Sequence, residues 1–158
     1  MTLVRIALVA TAVLATAAIA ATLAPFEPGD WEVTTKGHFD FAPGTPAIVA
    51  RMLAAQTAAP QVRHHCVTAA DLAVSPGAVL AISGGSCHYR ESSFAGGHMA
   101  LKTECTGNNG EHTITDVVGT YTPTSFTATG SKKRDGQPGP VMTIVTGGRR
   151  TGAACAAG

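Results

Sequence analysis

Charge is scarce in this chain: Asp, Glu, Lys and Arg make up only 13% of its 158 residues, and eleven cations stand against ten anions. Nucleic-acid binding draws on a surplus of basic side chains gathered on one face, so this balance gives no electrostatic case for a nucleic-acid partner. Aromatics are scarce too, at 5%, with a single tryptophan, Trp31. Catalytic signatures are missing. There is no G-x-S-x-G elbow and no glycine-rich phosphate loop, since Gly84-Gly85-Ser86 lacks the lysine. No C-x-x-C occurs, which removes dithiol exchange and weakens any zinc site. The expectation is a protein that is not an enzyme, with no catalytic, cofactor-binding or metal-binding residue and no cofactor. Hydrophobic types nevertheless reach 45%, too many for a long disordered chain of near-zero net charge.

The hydrophobic residues begin at the N-terminus. Met1 to Arg5 carries one positive charge, and an uncharged run dominated by Ala, Val, Leu and Thr follows from Ile6 to Pro25. A charged start, an apolar stretch and then small residues such as Ala18-Ile19-Ala20 form the layout of a secretory signal peptide. Residues 1–24 are therefore expected to be a cleaved leader, and 25–158 a single domain in the periplasm or outside the cell. The alternative is an uncleaved membrane anchor, because the run approaches the ~20 residues that span a bilayer.

Cys66, Cys87, Cys105 and Cys155 all follow the leader. Four cysteines in an oxidising compartment read as two disulfides, with three pairings open. The segment between Cys87 and Cys105 has its midpoint at Gly96, next to Gly97, and a Gly-Gly pair is a hairpin signal. Folding there sets Cys87 opposite Cys105, close enough to bond, and leaves Cys66 for Cys155. The same register puts Tyr89, Glu91 and Ser93 on one face, with Met99, Leu101 and Thr103. His88, Arg90, Ser92 and Phe94 fall on the other, with His98, Lys102 and Glu104.

Elsewhere the two-residue period dominates. Trp31, Val33, Thr35, Phe39 and Phe41 share one face of a strand, with Gly37 a bulge. Ala47 to Ala59 reads as a helix with Thr45 as N-cap, Pro46 in the first turn and Pro60 as stop. Gln61 to Val67 is a short strand, and Thr68 to Ala73 a capped helical turn. Ser75 to Ser86 is a loop. Thr106 to Gly110 and Asp135 to Pro140 are turns between β-segments at Glu111–Thr122, Ser125–Lys133 and Val141–Thr146, with Tyr121 facing Phe126. The fold expected is all-β with minor α: a strongly curved antiparallel meander or partial β-barrel with one short helical insertion.

Several pieces of this pattern occur together in a known order. They are Pro28-Gly-Asp-Trp-Glu-Val33, Cys66-Val-Thr-Ala-Ala-Asp-Leu72, the middle Cys87 and Thr103-Glu-Cys-Thr-Gly107, followed by Gly119-Thr-Tyr121 and Gly148-Arg-Arg-Thr-Gly152 before Cys155. In this order and spacing they resemble the exported bacterial family catalogued as domain of unknown function 3617. The resemblance runs from Pro28 to Cys155. It implies a small exported β-rich domain with paired cysteines, and no activity. The chain departs from that pattern in its Gly-Ala-Ala-Cys ending, where Gly-Asp-Cys is more usual, and in its Ala-rich helical insertion.

Histidine is the remaining chemical opening, at positions 38, 64, 65, 88, 98 and 112. His64 and His65 point to opposite faces of a strand and cannot chelate one ion. His88 faces Glu104 as a surface cross-strand pair. Lys132-Lys133-Arg134 reads as a solvated hairpin end, with a polyanion site as the alternative. Two functional readings follow. One is a binding module that holds a small apolar ligand in the concavity of a curved sheet. The other is a structural or assembly protein of the cell envelope that recognises a partner protein.

Overall fold

A computed structural model describes residues 24–80, 86–136, 139–152 and 155. Residues 1–23 of the expected leader and the Gly84-Gly85 pair lie outside the described residues. Seven strands form one antiparallel sheet: β1 (Gly29–Asp40), β2 (Gln61–Val67), β3 (Ser86–Ala95), β4 (His98–Thr106), β5 (His112–Thr122), β6 (Ser125–Arg134) and β7 (Val141–Gly152). Two helices, α1 (Ala47–Thr57) and α2 (Ala69–Val74), and a 3-10 turn over Pro76–Leu80 complete it. The spatial order is β2-β1-β7-β6-β5-β4-β3. A meander thus runs from β3 to β7, and the N-terminal β1–β2 pair joins its far side. Strands β2 and β3 have one neighbour each, so the sheet does not close. Among the described residues no helix is long and apolar enough to cross a membrane.

The alternation read from the sequence decides which face is buried. Along β4, Met99, Leu101, Thr103 and Cys105 are buried; along β6, Phe126, Ala128 and Gly130 are. Along β1, Trp31, Val33 and Gly37 point the same way. A flat sheet of seven strands would be roughly 29 Å wide at the usual strand spacing. Here residues from all seven line one hollow, so the sheet wraps strongly on itself. Gly148 permits part of that wrapping, because the Phe126 ring lies where its side chain would be. Gly37 is likewise covered by the Met142 side chain. It pairs regularly with Ile144 and is not the expected bulge; the β1–β7 register shifts between Asp30 and Trp31 instead.

The β3–β4 hairpin corrects the symmetric register. Gly96 and Gly97 both have positive φ (58° and 78°) and form a two-residue turn that pairs Ala95 with His98. Continued without interruption, that pairing would set Cys87 against Thr106. A bulge between Tyr89 and Glu91 absorbs one residue, and Cys87 then faces Cys105 with 4.0 Å between their Cα atoms. Beyond the bulge the faces differ from the sequence expectation. Glu91 pairs with Lys102 outside, and Phe94 turns in opposite Met99 to pack on the core.

One end of the wrapped sheet is filled. The Phe26 ring lies 5.2–6.2 Å from the rings of Trp31, Phe94, Tyr121 and Phe126. The Trp31 indole N–H donates to the Glu27 carbonyl at 3.2 Å, so the one polar atom of this anchor is satisfied. Leu72, Val79 and Leu80, from α2 and the 3-10 turn, complete the cluster. This segment lies between the two free edges. The Tyr89 hydroxyl of β3 bonds Ser75, and the His65 ring of β2 sits by the Ala78 and Val79 carbonyls. The turn starts from a capping box: the Thr68 hydroxyl accepts from the Asp71 N–H (3.1 Å), and the Asp71 carboxylate accepts from the Thr68 N–H (2.9 Å).

Helix α1 follows a different rule. None of its residues is buried, and Ile48 and Met52 are 63% and 60% exposed. Pro46 occupies the N-cap, not Thr45, whose hydroxyl donates to the Ala42 carbonyl in the preceding turn. Strand β7 also runs past Thr146 to Gly152. Gly147 and Gly148 look like strand breakers, but both pair with β1 and with β6.

Candidate functional site

The inner face is unevenly filled. Away from the aromatic end, Val33, Val117, Ile144 and Leu80 wall a hollow of about 280 Å³, with the Cys87–Cys105 pair in its side. A second hollow of about 460 Å³ opens where α1 leans over the rim, between Val49 and Leu53 of the helix and Phe39 and Met142 of the sheet. Lys132 and Met142 line both, so the two hollows adjoin at these side chains and are together called the inner trough. Grooves of about 480 and 620 Å³ also mark the outer face, bordered by Thr34, Thr120, Thr127 and Gly147. A groove on the convex side of a wrapped sheet offers no enclosing wall, whereas the inner trough has walls from every strand. The inner trough is the better candidate.

Electrostatics differ between the two faces. Outside, opposite charges pair across strands. Glu32 binds Arg149 (2.9 Å), with His64 at 3.6 Å, and Glu104 binds Arg90 (2.7 Å), with His88 at 3.6 Å. Each arginine, through its hydrogen bond, holds its partner carboxyl below the usual range. At the trough mouth Arg134 does the same to Glu111, with 2.7 Å between them. Lys132 makes no ion pair within 4.0 Å among the described residues, and it lies on the inner face between Thr115 and Met142. Arg150 sits at the opposite end, bonded to Glu27 (3.2 Å) and the Pro28 carbonyl (2.8 Å), so the adjacent Arg149-Arg150 pair does not join Lys132-Lys133-Arg134.

Cys66 is bonded to Cys155 and Cys87 to Cys105, and there is no free cysteine. Asp30, Cys66 and Cys155 gather within 4.8 Å, but their sulfurs are bonded to each other and offer no thiolate to a metal. His64 faces out and His65 in, as strand geometry requires. Burial pushes the His65 imidazole below its ordinary 6.5, partly offset by the Ala78 and Val79 carbonyls. Burial also raises the Tyr89 phenol. A concavity was expected from the sequence, but not its lining; Lys132 read as part of a solvated hairpin end, and it is indeed exposed. Counting in twos from Phe126 through Ala128 and Gly130 puts it on the inner face.

Fold and site together define a class: a disulfide-stapled, open antiparallel barrel with one packed end and one half-empty apolar trough. The chain belongs to the family described as protein of unknown function (DUF3617), whose model matches residues 26–155. No curated protein and no solved structure matches it.

Proposed function

We propose that the protein is a non-enzymatic binding module that holds a small apolar ligand in the inner trough. The observation that carries the reading is the unequal filling of one continuous face. Aromatic rings close one end, while Val33, Val117, Ile144, Phe39 and Met142 border open space at the other. The hollows together reach the size range of small-molecule sites. His38, His64 and His88 neighbour carboxylates on the surface, and none of the three lines the trough.

Two disulfides fit an oxidising compartment. We place the working protein in the periplasm or outside the cell, after removal of a leader over residues 1–24. Native mass spectrometry of protein purified from its own host is expected to show a retained small molecule released on unfolding. A bare chain mass, together with a stable protein complex, would instead favour the envelope-assembly reading. The observation behind that reading is the exposure of Val118 (62%) and Val145 (54%) on either side of Thr129 on the outer face.

A further inference from the structure

The charge lining the trough is one-sided, and this narrows the ligand class. Lys132, Lys133 and Arg134 border the hollows with a single acid, Glu111, whose carboxyl Arg134 holds at 2.7 Å and the Lys132 charge also favours at longer range. Lys132 is central among them. It shares with Met142 the junction of both hollows, and its cross-strand neighbours on the inner face are Thr115 and Met142. Strand phase puts Lys132 on the inner face, yet it is exposed, so its ammonium stays in water at the rim of the apolar walls. On the outer face the comparable position, Lys102, is flanked by Glu91 (3.9 Å) and Asp116 (3.7 Å). Lys132 has no such acid within 4.0 Å among the described residues.

We propose that the trough takes a single-chain amphiphile with an anionic head. The apolar chain lies along Val33, Val117 and Ile144, and the head sits at Lys132, where Thr113 and Thr115 add hydroxyl donors. The ammonium serves as a point-charge anchor that holds the acid head at the junction, while hydrocarbon burial supplies the non-directional part of the binding. This assignment rests on the ligand-binding reading above, since it places a head group in the same trough.

Isothermal titration of the disulfide-bonded protein with decanoate, decanol and decyltrimethylammonium separates the two levels. Decanoate is expected to bind about tenfold more tightly than decanol, with the cationic amphiphile weakest, the difference of one charge-assisted contact. K132Q is expected to remove the decanoate advantage and leave decanol binding unchanged, whereas K132R keeps most of it. I144W, which fills the trough without adding charge, is expected to weaken both ligands. Equal binding of decanoate and decanol, unmoved by K132Q, would overturn the anionic head and leave the trough reading standing. Absence of binding by all three, or decanoate binding untouched by I144W, would overturn both. Because Lys132 is exposed, the thermal midpoint of K132Q should match the parent, which shows that the variant is folded.

Discussion

Phe26 and Trp31 hold the packed end of the barrel. Both are essentially inaccessible, at 1% and 0% exposure, and Phe26 touches four other rings. Phe26→Ala should therefore cost about 3–5 kcal/mol, read as a lower urea midpoint at unchanged slope. A loss under about 1 kcal/mol, the level of a surface site, would mean the ring is dispensable. His65 sets a pH dependence. Its folded pKa is depressed by burial, so the unfolded chain takes up the proton first. The stability it contributes is complete above about pH 6.5 and falls as the pH drops through the folded value. Urea midpoints between pH 7.5 and 5 should decline in the parent and flatten in His65→Gln; equal slopes would refute the role. Trp31 and the β1 face were legible in the sequence by alternation alone. Phe26 was not: it precedes the alternating stretch and follows the uncharged run from Ile6 to Pro25, so no periodic signal marks it as core.

At the level of elements, local signals were readable wherever one face is buried. The β4, β5 and β6 strands, the Tyr121–Phe126 pairing and the Thr68–Asp71 capping box all follow from residues a few positions apart. Register across the β3–β4 turn was only half legible. The glycines marked the turn, but the bulge after Tyr89 depends on Phe94 finding the aromatic cluster, a tertiary contact no short window contains. The side of the sheet that Lys132 takes was hidden for another reason: it stands in three consecutive exposed cations, and its phase shows only when carried through from Phe126. Helix α1 illustrates an element that helps form a site without stabilising the core. The double change Ile48→Gln and Met52→Gln alters two exposed side chains and should move stability by no more than about 1 kcal/mol. Thermal denaturation showing a larger loss would mean that the helix packs more tightly than its exposure indicates.

For the whole molecule, the two cross-links act over different spans. Cys66 and Cys155 are 89 positions apart and Cys87 and Cys105 only 18. On the chain-entropy model, removing the first pair as C66A/C155A should cost about 4–5 kcal/mol and C87A/C105A about 3. Paired denaturation curves giving the reverse order would show that the hairpin bond constrains more than its own loop. The strand order has a consequence of its own for how a molecule of this kind is made. Because β7 lies between β1 and β6, the opening hairpin has no ladder in common with the meander until the final strand arrives. A nascent chain halted before residue 141 therefore holds two sheets without a shared border. Its beginning must wait, unpaired on one side, for its end to be synthesised.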